Sequence, residues 1–296
     1  MGRHIQDIFA DEMLQRQSLV SRVLTFIRFS HTVFALPFAL GAAFVAARGW
    51  PAWRLLGLIV AEMVFARTAA MTFNRLADWE IDKGNPRTAG RHRLVSRGTA
   101  IGLLVVSAGA FVWTAAFINQ VCFFLSPVAL GILFFYSLTK RFTALSHFFL
   151  GLALGISPIG AWLAVRGRFE LPPFVLCGAV LLWVAGFDLI YATQDEEFDR
   201  SAGLRSLVVR LGVPGTLVLA QWLHVGMWVM LILFGEVSHL GRTYEIGLGL
   251  IFPALVYEHY TARKMDLAAI NRAFFYSNAF VGVVFLAATL GAVMWR

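Results

Sequence analysis

The sequence predicts an all-α membrane protein: nine transmembrane helices in one bundle, with a cytoplasmic-side cap over a central cavity. Three observations lead there. Hydrophobic residues fill 59% of the 296 positions and charged residues only 14%, against about 25% charged in a soluble domain. Mean hydropathy is +0.72, and the apolar residues fall in nine runs, each near the roughly 20 residues that carry a helix across a bilayer. The basic residues collect in alternate connecting segments.

The first run, 24 to 47, follows an N-terminal stretch of mixed charge (Arg3, Asp7, Asp11, Glu12, Arg16). That stretch lacks the basic, apolar, small-residue order of a cleavable signal and reads as an amphipathic segment at the cytoplasmic interface. Runs 53 to 73, 99 to 118, 121 to 138 and 143 to 165 come next, then 172 to 192, 213 to 234, 244 to 262 and 273 to 295. Pro37, Pro158 and Pro253 lie inside runs, where proline is tolerated and can open a cavity. Gly151, Gly155 and Gly160, with Gly247 and Gly249, offer close helix approach. Cys122 and Cys177 fall within runs as small buried thiols, with neither a disulfide nor a metal site indicated. No linker or composition shift divides the chain, so residues 1–296 form one domain.

Of the 25 Lys and Arg residues, 18 lie in one set of alternate segments and 6 in the other, with Arg67 inside a run. The positive-inside rule makes the richer set cytoplasmic, N-terminus included, in a cell inner (plasma) membrane. The net charge of +8 is then a record of topology. It calls for no nucleic-acid partner, and no obligate protein partner is evident.

Two cytoplasmic segments carry the chemistry. In NRLADWEID, Asn74, Asp78 and Asp82 recur every fourth residue, which stacks them on one side of a helix that the following GNP should end. In YATQDEEFD the same period returns as Tyr191, Asp195 and Asp199, with Asp188 one turn earlier. The copies lie 117 residues apart, after the second and sixth runs. A bundle in which the two ends meet gathers four carboxylates, whose mutual repulsion is roughly 4 kcal/mol per close pair at intermediate dielectric. Mg2+ answers that repulsion, since it takes hard oxygen ligands and shares one or two carboxylates with substrate phosphates. Tyr136 and Lys140 in FFYSLTKR, with Arg87 and Arg205 after each acidic pair, supply the usual phosphate partners. A diphosphate at the mouth of an apolar bundle implies a long hydrocarbon tail, hence a prenyl diphosphate. Glu80, Glu196 and Glu197 lie off the stripes and read as solvated; His147 and His259 read as ordinary polar contacts.

These paired motifs, N-x-x-x-D-x-x-x-D and D-x-x-Y-x-x-x-D-x-x-x-D, resemble those of the UbiA-type intramembrane aromatic prenyltransferases. The resemblance extends to IRFSHTVFALPF, Arg67, NPRTAGR, YSLTK and AGLRSL, and so covers nearly the whole chain. It implies that Asn74, Asp78, Asp82, Asp195 and Asp199 hold magnesium and diphosphate, and that Tyr136, Lys140 and Arg205 contact phosphate. It implies that Arg67 and Arg28 meet the aromatic acceptor's carboxylate, and that Asp188 and Tyr191, with Arg67, belong to the reaction centre. The expected reaction joins a polyprenyl group to the ring of an aromatic acid in respiratory quinone synthesis. 4-Hydroxybenzoate is favoured as acceptor, and a dihydroxynaphthoate of menaquinone synthesis is the alternative. Val95 stands where the family has a proline, which puts the conformation of segment 87–98 in question. A cation-coupled transporter is the rival class. Its carboxylates usually sit at the midplane, whereas these lie where runs meet basic loops. The D-G-x-x-A-R pattern of CDP-alcohol phosphotransferases is absent.

Overall fold

The computed structural model describes residues 18–28, 32–84, 88, 90, 93–201, 203, 205–263 and 267–295. All regular structure in them is helical. α1 is Leu19–Phe26, α2 Thr32–Ala47, α3 Trp53–Ala77, α4 Trp79–Gly84, α5 Arg97–Ile118, α6 Gln120–Thr139, α7 Ser146–Arg166 and α8 Leu171–Ala192. A 3₁₀ turn, Thr193–Asp195, leads to α9 (Glu196–Ser201), followed by α10 (Leu207–Ser238), α11 (Arg242–Ala262) and α12 (Leu267–Met294).

Each sequence run has its helix, but seven are long and apolar enough to span a membrane by themselves: α3, α5, α6, α7, the continuous α8 to α9 stretch, α10 and the Phe274–Met294 part of α12. The two that fall short do so for different reasons. The expected run 24 to 47 is divided, because Arg28 turns into the left-handed region (φ 48°) after α1. The remaining 16 residues of α2 reach only about 24 Å at 1.5 Å per residue. α11 is 21 residues long but carries Arg242, Glu245, Glu258 and His259, which dilute its apolar character. The N-terminal interfacial segment falls outside the described residues up to position 17. Its continuation α1 leaves Leu19 and Val20 exposed and buries Phe26.

The helices close a ring in which each packs mainly on its neighbours in sequence, with α12 returning against α2 and α2 against α7. The core is aromatic: Phe38 stacks on Phe285 at 4.5 Å between centroids, and Phe34 sets its edge against Trp183 at 6.5 Å. α7 and α8 approach most closely where Gly151 and Gly155 face the Leu181 and Cys177 carbonyls, with no room for a Cβ. Gly247 does the same against Ala288, whereas Gly160 and Gly249 have open space and make no such approach. Pro37, Pro158 and Pro253 lie inside helices, and α10 is kinked at Gly212 (φ 65°). Both cysteines are free. Val95 is buried with Phe26, Ile27, Met71 and Ala100, so the residue in the proline's place plugs α1 onto the bundle.

Candidate active site

The C-terminal ends of α3, α6 and α8 and the N-terminal end of α7 enclose a cavity of about 330 Å³. Its walls hold Asn74, Asp78 and Asp82 on one side and Asp188, Tyr191, Asp195 and Asp199 on another. Tyr136, Lys140, Arg28, Arg67 and Arg205 complete it. Arg87 lies outside the described residues.

Local structure explains how each acidic end faces inward. α3 stops at Ala77, and Asp78 caps it (φ −95°, ψ 10°) before α4. The i to i−4 pattern nonetheless runs through the turn, with Asp78 N donating to Asn74 O at 3.0 Å and Asp82 N to Asp78 O at 2.8 Å. The stripe is thereby kept on one side. The second end breaks at the corresponding place, where the 3₁₀ turn Thr193–Asp195 separates α8 from α9. There the tighter winding, about three residues per turn, turns Asp195 and Asp199 relative to Tyr191.

At the first end, Lys140 Nζ donates to Asp78 Oδ2 at 2.6 Å and Asn74 Nδ2 to the same oxygen at 3.4 Å. Arg75, buried in α3, lies 3.7 Å from Asp82 and donates to Phe26 O at 3.4 Å. Burial pushes the Asp78 carboxyl above the usual range, and Lys140 opposes that shift. At the second end, His147 Nδ1 lies 2.7 Å from Asp188 Oδ2. Arg205 donates to Phe142 O at 2.7 Å, tying the segment after α9 to the α6–α7 connection. Arg28 reaches the Tyr191 hydroxyl at 3.5 Å and lies 6.0 Å from the centre of its ring. The solvated carboxylates behave as read: Glu80 pairs with Lys83 at 3.0 Å and Glu196 with Arg200 at 2.7 Å.

The donor set fits a divalent cation in one respect. Asp78 Oδ1 is buried without a hydrogen-bond partner among the described residues, an acceptor left over beside Lys140. Yet no three His, Cys, Asp or Glu side chains among those residues converge on one point. The residues therefore suit a cation that each acidic end shares with a phosphate and water, and not an all-protein cage.

A second cavity of about 170 Å³ adjoins the first, sharing Arg67, Met71, Tyr136, Leu150 and Leu154 with it. Its apolar walls come from α3, α5, α6 and α7, and from Tyr136 to Cys122 on α6 they extend about 21 Å. Arg67 sits at the junction, its Nε buried with no hydrogen-bond partner among the described residues. Glu62 stands inside this apolar space, its Oε1 equally unpartnered.

The cavity adds residues that sequence reasoning missed. Arg75 counted there only as a topology charge, although its two-turn spacing from Asp82 was visible. His147 passed as an ordinary polar contact. No phenylalanine stands out in the sequence, yet Phe34, Phe187 and Phe274 line the cavity as a triangle, 5.9, 5.7 and 5.3 Å apart between centroids.

Comparison with known proteins follows this geometry. The model of the UbiA prenyltransferase family matches residues 35–290. The chain belongs to the UbiA prenyltransferase family. It is a multi-pass membrane enzyme of the prenyltransferase class. It is 28% identical over 253 residues to a 4-hydroxybenzoate octaprenyltransferase of Marinobacter nauticus, covering 84% of this chain and 86% of the relative. It is 30% identical over 251 residues to the protein of that name from Vibrio campbellii, with 82% and 86% covered. Among solved structures, a UbiA homolog from Aeropyrum pernix K1 in its apo state superposes with a TM-score of 0.79 at 32% identity, over 87% of this chain and 96% of that one. A UbiA homolog from Archaeoglobus fulgidus, solved with GPP and Mg2+, shares the fold at a TM-score of 0.67 and 20% identity, over 92% of this chain and 99% of that one. Divalent-metal use is thus present in the UbiA family.

Proposed function

We propose that this UbiA-family enzyme transfers a polyprenyl group from its diphosphate to the ring of an aromatic acid, with 4-hydroxybenzoate the favoured acceptor. One observation carries the reading: two acidic helix ends, Lys140 and Arg67 line a single cavity that adjoins an apolar one. In this account Asn74, Asp78, Asp82, Asp195 and Asp199 hold Mg2+ and the diphosphate, while Tyr136, Lys140 and Arg205 contact phosphate oxygens, and Arg87 joins them from outside the described residues. A bound divalent cation supplies charge neutralisation to the departing diphosphate. The prenyl tail lies in the apolar cavity beyond Arg67, which with Arg28 pairs the acid's carboxylate. As the carbon–oxygen bond breaks, the allylic cation is left among Phe34, Phe187, Phe274 and Tyr191, whose ring faces attract positive charge.

The same reading takes α2 and α11 as spans eight and nine, with α4 and α9 in the cap. The site end of the bundle then faces the cytoplasm of the inner membrane, as the distribution of 18 basic residues against 6 supports. The names of the relatives from Marinobacter nauticus and Vibrio campbellii favour 4-hydroxybenzoate. The test is to incubate purified protein and Mg2+ with a prenyl diphosphate and a panel of phenolic and naphthoic acids, identifying products by mass. Prenylated 4-hydroxybenzoate is expected. A product formed only from a naphthoate would move the acceptor to the menaquinone class, and no product with any acid would refute the assignment.

A further inference from the structure

Loss of the ring proton is the step that the residues discussed so far leave without an acceptor. When the prenyl carbon bonds to the ring, that ring carbon still carries hydrogen, and aromaticity returns only when a base removes it. A base on the cavity wall beside the ring can take that proton. Lys140 is engaged with Asp78, Arg28, Arg67 and Arg205 are cations that accept no proton, and Asp78, Asp82, Asp195 and Asp199 are assigned to the cation and diphosphate, which leaves the paired Asp188 and His147.

His147 meets the requirement. It opens the first turn of α7, is only 7% exposed, and lines the cavity. Its Nδ1 lies 2.7 Å from Asp188 Oδ2. With Asp188 ionised, Nδ1 must be the donor, which leaves the lone pair on Nε2. The placement is set by the fold. One turn further along α7, Gly151 lies against the Leu181 carbonyl, and that contact draws the start of α7 onto α8 beside Asp188. Asp188 itself lies about 10 Å along α8 from Asp195, toward the apolar interior and clear of the end assigned to the diphosphate. Beside it are Tyr191 and the aromatic triangle. Among the described residues, the other charged groups around the cavity on this side are Arg28, Lys140 of α6, Asp195, Asp199 of α9 and Arg205.

We propose that His147 is the proton acceptor of the reaction and Asp188 the positioning residue that holds its imidazole. The inference rests on the prenyl-transfer reading above. In the step, the carbon–oxygen bond of the prenyl diphosphate breaks with its electron pair passing to diphosphate oxygen, and a carbon–carbon bond forms to the ring. The proton on that ring carbon then passes to Nε2, and the electron pair of the carbon–hydrogen bond restores the aromatic ring. The imidazolium so formed faces the Asp188 carboxylate and returns its proton to water at the mouth.

The experiment compares wild type, His147→Gln and His147→Leu on the acceptor found by mass, unlabelled and deuterated at the carbon that is prenylated. Glutamine keeps an amide that can donate to Asp188 but takes no proton. Both variants are expected to lose about 10²-fold or more in kcat, the usual share of general-base catalysis, with an unchanged KM for the prenyl diphosphate. They should also gain a primary deuterium isotope effect, because proton loss becomes rate-limiting. A merely structural histidine would slow the variants without an isotope effect. That outcome, or His147→Gln turning over at the wild-type rate, overturns the proposal while leaving prenyl transfer intact. A wild-type protein that prenylates none of the acids overturns both.

Discussion

The two acidic helix ends are near repeats in sequence, yet the structure supports them differently. At the first end, Asp78 and Asp82 each face a cation supplied by the protein, Lys140 at 2.6 Å and Arg75 at 3.7 Å. At the second, Asp188 faces a histidine, and the nearby guanidinium of Arg205 points to the Phe142 carbonyl. The first end is therefore held together by its own countercharges, as a buried carboxylate requires. At the second, Asp199 is hydrogen-bonded to Ser206 and lies within the field of Lys140 and His147. The two ends thus differ in what holds them: paired cations at the first, hydrogen bonds and shared charge at the second.

The asymmetry can be broken at several points. The largest effect is expected from Asp78→Ala and Asp195→Ala, which should each abolish product despite their different surroundings, measured as turnover by protein still folded in detergent. Activity confined to the loss of one end only would mean that the halves do not act as one site. Lys140→Met should come next. It leaves Asp78, 3% exposed, without its cation, and should lower stability by about 1–3 kcal/mol, toward the low end because Lys140 is itself partly exposed. Arg205→Ala should leave thermal stability nearly unchanged, since it forfeits one exposed bond to Phe142 O, while raising the KM for the prenyl diphosphate. Comparing the Tm values of these two variants without ligand tests the difference between the two ends directly. Smallest in kcat is Arg67→Ala, which should chiefly raise the KM for the aromatic acid; a change confined to the diphosphate KM would reassign that guanidinium.

Much of this was legible in the sequence, and the exceptions have physical reasons. Every apolar run became a helix, and the period-four carboxylates reached one cavity, because helical periodicity and burial are local properties that a sequence displays. The break between α1 and α2 is marked in sequence only by the polar cluster Arg28, Ser30 and His31 near the start of run 24 to 47, and nothing there singles out Arg28 as the residue that takes a positive φ. α11 looked like a span by length, although its buried Glu258 and half-buried His259 belong to a polar network with Asn278 and His224 inside the bundle. His147 could not be found because its partner Asp188 lies 41 residues away, and only the packing of α7 on α8 joins them. Glu62 is a different kind of miss. A lone carboxylate within run 53 to 73 was in plain view, and intramembrane acids merit a functional reading by default. Segment 87–98 is partly outside the described residues, but its Val95 is seen to be a core residue of the α1 contact.

The central claim is that both ends grip one cation-bound diphosphate head. Titration of a prenyl diphosphate into the purified enzyme, with Mg2+ and again with chelator, tests it most directly in wild type, Asp78→Ala and Asp195→Ala. The account predicts tight binding only for wild type with Mg2+. Wild-type affinity in chelator, or in either variant, would contradict it.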